Sequence, residues 1–196
     1  MLNFRVVAFL LVLQCWILFP LIFVFCSRRN APAPAPEQTR DVQSRFGLAL
    51  QGLSYAFAWA LPRFFGPLVS FNPTLDAALL GLAVLLAVGS LWLVTRAIRT
   101  LGKEWSLTAR LVKGHRLVTT GPYGRVRHPI YTGMFGMLLA TALSWSHWLG
   151  LLLSVVIFWL GTVVRVRSEE RLLRAAFGAE FDAYARRVPA VLPGVY

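Results

Sequence analysis

Long uncharged apolar runs, separated by short segments dense in arginine, set the rhythm of this chain. Residues 6–25 carry no charged side chain, and neither do residues 77–95. A run of roughly 20 such residues rises ~30 Å as a helix, enough to cross the hydrocarbon core of a bilayer. The pattern predicts five spans, at about residues 6–26, 46–65, 74–95, 129–146 and 148–166. Between the first two lies a linker, 27–45, whose alternating Ala-Pro pairs favour extended polyproline II. Pro62 and the Gly66-Pro67 pair close the second span, and Asn72 or Thr74 is placed to cap the third. Only Ser144, Trp145, Ser146 and His147 connect the fourth span to the fifth, a turn short enough to make them an antiparallel hairpin. Beyond Arg165 the chain becomes an amphipathic tail. Leu173, Phe177, Phe181, Tyr184 and Val188 recur at near-helical spacing, with Gly178 interrupting the helix they imply. The fold class is therefore all-α, a polytopic membrane helical bundle of about five transmembrane helices.

Composition sharpens this picture. The chain is 57% hydrophobic and 14% charged, with a mean hydropathy of +0.63. Soluble domains carry about 25% charged residues, so a mostly wetted surface is excluded. A net charge of +12 would ordinarily raise the question of nucleic acid. Here the basic residues lie between and after the apolar spans rather than along one soluble face, which argues against it. With five spans and a cytoplasmic C-terminus, the N-terminus lies outside, and segments 27–45, 96–128 and 165–196 share the cytoplasmic side. Those segments hold every Lys and Arg except Arg5 and Arg63, eighteen of the twenty, as the positive-inside rule requires. The first apolar block ends in Phe-Val-Phe-Cys-Ser-Arg-Arg, a stop-transfer flank, and is read as a retained helix rather than a cleaved signal. Cys15 and Cys26 both lie in that block, ~16 Å apart along a helix and so beyond disulfide reach. No metal-ligand spacing occurs anywhere in the sequence.

Candidate chemistry concentrates in two places. Residues 113–133 combine two of the three histidines, His115 and His128, with Tyr123, Tyr131, several basic residues and turn-setting Gly and Pro. Pro129 suits the first turn of the fourth span, which places His128 at the cap position, its ring within reach of a ligand carboxylate. The plainer reading is a capping segment that anchors Tyr and Arg at the headgroups. The second place is Arg165 with Glu169, four residues apart on one helix face at the cytoplasmic mouth of the fifth span. By itself that pair is also consistent with an ordinary stop-transfer flank.

The motifs become specific when taken in order. Gly-His-Arg-Leu-Val (114–118), Gly-Pro-Tyr (121–123) and Arg-His-Pro-Ile-Tyr-Thr-Gly (127–133) come first. Arg-x-x-x-Glu-Glu-x-x-Leu (165–173), Phe-Gly-x-Glu-Phe-x-x-Tyr (177–184) and Val-Pro-x-x-x-Pro (188–193) follow. The series, with Leu-Gly-Lys-Glu-Trp-Ser (101–106) as its lead-in, resembles the isoprenylcysteine carboxyl methyltransferase family and its prokaryotic, phospholipid-methyltransferase-like relatives. The resemblance covers residues 90–196, read as the methyltransferase core. Residues 1–89, with the first two helices, the Pro/Ala linker and the start of the third helix, carry no family signal.

The resemblance implies an integral membrane methyltransferase that uses S-adenosyl-L-methionine and releases S-adenosyl-L-homocysteine. It implies that the cytoplasmic loop and the C-terminal helical tail form the cofactor pocket. His115, Arg116, Leu117 and Val118 would line the cofactor, Tyr123 would contact it next, and His128, Pro129, Ile130 and Tyr131 would close around it. Glu169 would bind it from the other side, and Arg165 would face the acceptor; these last two would be the catalytic residues. Thr108 stands near a position where family members often carry a polar amide, which weakens the case for a cofactor contact there. The implied partners are membrane lipid and a lipophilic or lipid-linked acceptor, in a prokaryotic inner membrane. A prenylcysteine-like carboxylate is the family's namesake acceptor; lipid amines, small thiols and a non-catalytic membrane protein that kept the fold stay open. No dinucleotide-binding Gly-x-Gly-x-x-Gly occurs.

Overall fold

The computed structural model of the chain describes residues 4–29, 38–40, 42–63, 68, 72–102, 105, 110–112 and 116–192. Six helices follow in order: α1 (Phe4–Arg29), α2 (Val42–Ala60), α3 (Pro73–Leu101), α4 (Pro129–Trp145), α5 (Trp148–Phe177) and α6 (Ala179–Arg187). Two three-residue strands, β1 (Gln38–Arg40) and β2 (Arg110–Val112), pair antiparallel, with Thr39 opposite Leu111. This small ribbon adds a β element to the expected all-helical fold. It places residues 38–40, ahead of α2, beside residues 110–112, after α3.

Each helix buries one stripe. In α1 the buried positions are Ala8, Val12, Cys15 and Phe19, a three-four repeat that seats the helix on Ala83, Ala87, Val94 and Ile98 of α3. Cys15 is a free, buried packing residue. In α2 the stripe is Ser44, Gly47, Gln51, Ser54 and Ala58, nearly all small or polar, and it lies along α5. Close approach through small residues is how helices associate where lipid removes the hydrophobic drive. The α3–α4 contact uses the same device. A methyl group placed at Gly133 would lie 2.5 Å from Val94 Cγ2 and 3.3 Å from the Ser90 carbonyl.

Helix α4 is the centre of the bundle. It touches α1, α2, α3 and α5, and none of its residues is exposed. That explains why it has no polar face: a helix apolar all round is one surrounded by protein or lipid. The other helices present apolar side chains outward, including Leu18 and Phe25 on α1, Phe46 on α2, Leu85 and Trp92 on α3, and Leu152 and Leu160 on α5.

Three helices, α1, α3 and α5, are long and apolar enough to cross a membrane by length and composition. A helix lies in each of the five predicted spans, but α2 and α4, with 19 and 17 residues, are not among these three. Contacts at the helix ends fix their directions. Arg5 meets Asp76 where α1 and α3 begin, while Phe23 meets Trp105 where they finish, so these two run parallel. Helix α4 runs antiparallel to α3 and to α5, since Gly136 faces Ser90, Gly133 faces Val94, and only Ser146 and His147 separate α4 from α5. The chain must therefore return between the three long helices, and α2 and α4 are the returns.

Boundaries moved from their expected places for identifiable reasons. The second span was expected over 46–65 but α2 ends at Ala60, because the residue before Pro62 is biased out of the helical region. Helix α3 runs on to Leu101 and α5 to Phe177, well past the expected 95 and 166, since Arg and Glu side chains on the added turns carry them into water. Asn72 caps α3, its side chain accepting from Leu75 N–H. Gly178, with φ of +49°, ends α5 and opens α6 at the expected interruption. Arg5 and Arg63, the two cations outside the basic segments, are used structurally at the opposite end of the bundle. Arg5 Nε lies 2.9 Å from Asp76 Oδ2, and Arg63 donates to the carbonyls of Leu143 and Ser146 at the end of α4.

Candidate functional site

The short central helix shapes the site. Helix α4 spans about 26 Å, whereas α3 and α5 span about 44 and 45 Å at 1.5 Å per residue. Both neighbours therefore overrun the start of α4, and the space beyond it is filled by a 3-10 turn (Gly121–Gly124), by α6 and by the chain after α6. Main-chain bonds tie that end piece down: Arg127 N–H donates to Pro189 O and His128 N–H to Ala190 O, both at 2.8 Å. Thr132 Oγ1 donates to Val191 O at 2.6 Å, and Tyr184 Oη to Tyr123 O at 2.6 Å. Gly121, at φ +60°, lets the 3-10 turn fold back beside Thr100 at the end of α3.

Five charged groups and a tyrosine meet under this cover. Arg165 Nε–H donates to Tyr131 Oη at 2.7 Å, and that hydroxyl in turn donates to Glu169 Oε1. Arg165 Nη2 lies 3.5 Å from the same carboxylate oxygen. His128 reaches both acidic residues, with Nδ1 3.4 Å from Glu169 Oε2 and Nε2 3.2 Å from Glu170 Oε1. Its ring stacks on Tyr131, centroids 5.6 Å apart. Arg127 completes the set, placing Nε and Nη2 each 2.8 Å from Glu170 Oε1 and donating Nη1–H to Ala185 O at 2.9 Å and to Val188 O. The last two bonds cap the C-terminal carbonyls of α6.

The electrostatics follow from this geometry. His128 is 6% exposed, and burial alone would lower its pKa. Hydrogen bonds and charge from Glu169 and Glu170 outweigh burial and raise it. Two carboxylates facing two ring nitrogens are satisfied together only by the doubly protonated ring. Tyr123 is pushed well above the usual phenol range by burial first, and then by Glu169 and Tyr184. Burial likewise raises Tyr184 to about 12. Glu169 is the more reachable carboxylate, its side chain 25% exposed against 14% for Glu170.

Of the residues proposed from sequence, the structure brings Tyr123, His128, Pro129, Tyr131, Arg165 and Glu169 to one place. The His128 ring was expected to reach a ligand carboxylate from the cap position; it makes no capping bond and turns instead to two carboxylates of the chain itself. Ile130, one position and so about 100° further round α4, packs against the α1–α3 core rather than toward the carboxylates. Arg116 is exposed, and Leu117 and Val118 are half-buried, on an extended segment leading into the 3-10 turn. Among the described residues, no backbone hydrogen bond joins residues 116–119 to another. His115 and Thr108 lie outside the described residues. Sequence reasoning passed over Arg127 and Glu170, although both stand in quoted motifs beside the residues chosen, and it passed over Gly47.

The residues of this cluster fall inside a recognisable family. A match to the phospholipid methyltransferase family covers residues 79–180, slightly over half of the chain. The chain belongs to the phospholipid methyltransferase family. Its similarity to isoprenylcysteine methyltransferases is equally plain. It is 36% identical over 81 residues to a protein-S-isoprenylcysteine O-methyltransferase of Schizosaccharomyces pombe, covering 41% of this chain and 34% of that one. To protein-S-isoprenylcysteine O-methyltransferase B of Arabidopsis thaliana it is 32% identical over 101 residues, covering 50% and 51%. The nickel-cobalt-cadmium resistance protein NccN of Alcaligenes xylosoxydans xylosoxydans is 42% identical over 113 residues, covering 57% and 51%. The chain thus spans a third to a half of the length of these curated relatives. Within the family match lie Arg127, His128, Tyr131, Arg165, Glu169 and Glu170; α1, α2 and the last residues of the chain lie outside it.

Proposed function

We propose that this protein is an integral membrane methyltransferase that takes a methyl group from S-adenosylmethionine and gives it to a lipophilic acceptor. The observation that carries the reading is the cluster of Tyr131, Arg165, Glu169 and His128 at the buried start of α4, inside the family match. When bound, S-adenosylmethionine supplies an electrophilic methyl on a sulfonium; the residues present suit its other groups. Glu169, the more reachable of the two carboxylates, would match an ammonium or ribose hydroxyl, and Tyr123 with the extended 116–119 segment would line the remainder. His128, Pro129 and Tyr131 would close the side nearest α4.

The chain's own groups then have defined tasks. Methyl transfer to a nucleophile is an in-line displacement, so the protein chiefly aligns the two reactants and excludes water. Arg165, buried at the mouth of α5, would face the acceptor. His128, with each ring nitrogen facing a carboxylate of the chain, is poorly placed to act as a general base on an acceptor. An acceptor that needs no base, a carboxylate or thiolate, fits this site better than a lipid ammonium. A prenylcysteine-like carboxylate is the acceptor we favour, with the pocket open to the cytoplasm and the N-terminus outside. The family core, 90–196, would carry the reaction.

The test is calorimetric binding of S-adenosylhomocysteine to detergent-purified protein, beside Glu169→Ala and His128→Ala. Micromolar binding in the wild type, lost in both variants, is the expected result. A folded wild type that does not bind would overturn the reading. Membranes supplied with methyl-labelled cofactor then report the bond formed: carboxyl methyl esters release methanol in base, whereas N- and S-methyl products do not.

A further inference from the structure

We infer that Gly47 of α2, outside the family match, is a positioning residue for Arg165, and that α2 is therefore one wall of the site. The inference rests on the reading of Arg165 given above. A methyl group placed at Gly47 would lie 2.6 Å from Arg165 Cγ, 2.8 Å from Gly161 O and 3.3 Å from Arg165 N. The first approach is to a side-chain stem, the other two to the backbone of α5. The crossing is reciprocal: a methyl group at Gly161 would lie 2.7 Å from Gly47 O and 2.9 Å from Leu50 Cβ. Two helix backbones thus meet here with no side chain between them, and the aliphatic stem of Arg165 lies directly on Gly47.

The contact is held in register from both sides. One turn into the bundle, Gln51 Nε2 donates to Thr162 Oγ1 at 3.0 Å, both groups buried. One turn toward the basic end, Arg171 Nη2 donates to Gln43 Oε1 at 3.3 Å. Gln43, Gly47 and Gln51 are four apart, so they form one row along α2, and the row brackets Arg165. With its stem fixed by α2, the guanidinium has its Nε at Tyr131 Oη and its Nη2 at Glu169. Displacing the stem would break that alignment without touching Tyr131, Glu169 or His128 themselves. Gly52, on the same helix, has no atom within 4 Å of an added methyl and serves as the control.

The experiment is a double-mutant cycle on the full chain in detergent, read by S-adenosylhomocysteine titration of wild type, Gly47→Ala, Arg165→Ala and the double variant. Gly47→Ala is expected to weaken binding at least about fivefold in the wild type and less than about twofold once the Arg165 stem is gone. Gly52→Ala should match wild type. Equal losses with and without the Arg165 side chain, or no loss at all, would overturn the inference, since Gly47 would then act through helix packing or not at all. Should Gly47→Ala fail to fold, a folded double variant supports the inference and an unfolded one refutes it. The Arg165 Nε–H resonance, held by Tyr131, reports the position of the guanidinium without ligand in wild type, Gly47→Ala and Gly52→Ala. A shift confined to Gly47→Ala upholds the inference even where the wild type binds no S-adenosylhomocysteine, an outcome that would sink only the proposed function; an unmoved resonance counts against it.

Discussion

Removing the Arg127 side chain should release α6 from the rest of the protein. Arg127 gives two hydrogen bonds to Glu170 Oε1, at 2.8 Å each, and two more to the carbonyls of Ala185 and Val188 at the end of α6. Both partners of the ion pair are mostly buried, 13% and 14% exposed, so solvent screening takes little from it. Breaking a buried pair from one side costs about 3–5 kcal/mol, and His128 Nε2, at 3.2 Å, would be left as Glu170's partner in this cluster. Against that, α6 has nine residues, too few to be stable as an isolated helix. Phe181 and Tyr184 are its buried anchors, each worth about 2–3 kcal/mol. The lost interactions are thus comparable to what remains, and local detachment follows. Hydrogen exchange of the α6 amides in detergent should accelerate by roughly 10²–10³, since each 1.4 kcal/mol is a factor of ten. Arg127→Lys should fall between, because one ammonium cannot serve Glu170 and two carbonyls together. Unchanged exchange over α6 in Arg127→Ala would refute the assignment of Arg127 as the clasp.

Three further outcomes follow from the same geometry. Because His128 is raised above its ordinary 6.5, its stabilising charge is fully present below pH 6.5 and is lost as pH rises through the raised value. The melting temperature should therefore fall on the alkaline side, and His128→Gln should flatten that fall; a parallel slope in the variant would disprove it. Asp76→Ala, which removes the carboxylate that pairs with Arg5 and accepts from Leu68 N–H, should cost about 2–4 kcal/mol of stability. It should leave S-adenosylhomocysteine affinity unchanged, because the pair sits at the other end of the bundle. Gly133→Ala should destabilise by about 1–3 kcal/mol through its collision with Val94, measured as a lower melting temperature.

What the sequence made legible, and what it hid, divides along physical lines. Apolar runs need only composition to be recognised, so all five helices of the bundle were visible. Their ends were harder, because an arginine such as Arg96 or Arg99 ends a span but not a helix. The motifs located Arg165, Glu169, Tyr131 and His128, and the fold brings them together. Glu170 was hidden because its partners are 42 and 43 positions away, at His128 and Arg127, and no local spacing reports such a pairing. Gly47 was hidden more thoroughly. Nothing in the run Phe46-Gly47-Leu48 distinguishes it from Gly52, yet one glycine touches Arg165 and the other faces open space.

The cluster also explains how charges are kept at this depth while a ligand can still enter. Three cations, Arg127, His128 and Arg165, face two carboxylates, so each acidic group has at least two partners among them. A lone carboxylate here would become protonated, since burial disfavours the charged form. Shared pairing keeps Glu169 ionised without a ligand. The same pairing sets up a competition, because a cationic ligand group must take Glu169 from Tyr131, His128 or Arg165. Of these, Tyr131 is the partner most easily exchanged: its hydroxyl also accepts from Arg165, so releasing Glu169 leaves it bonded.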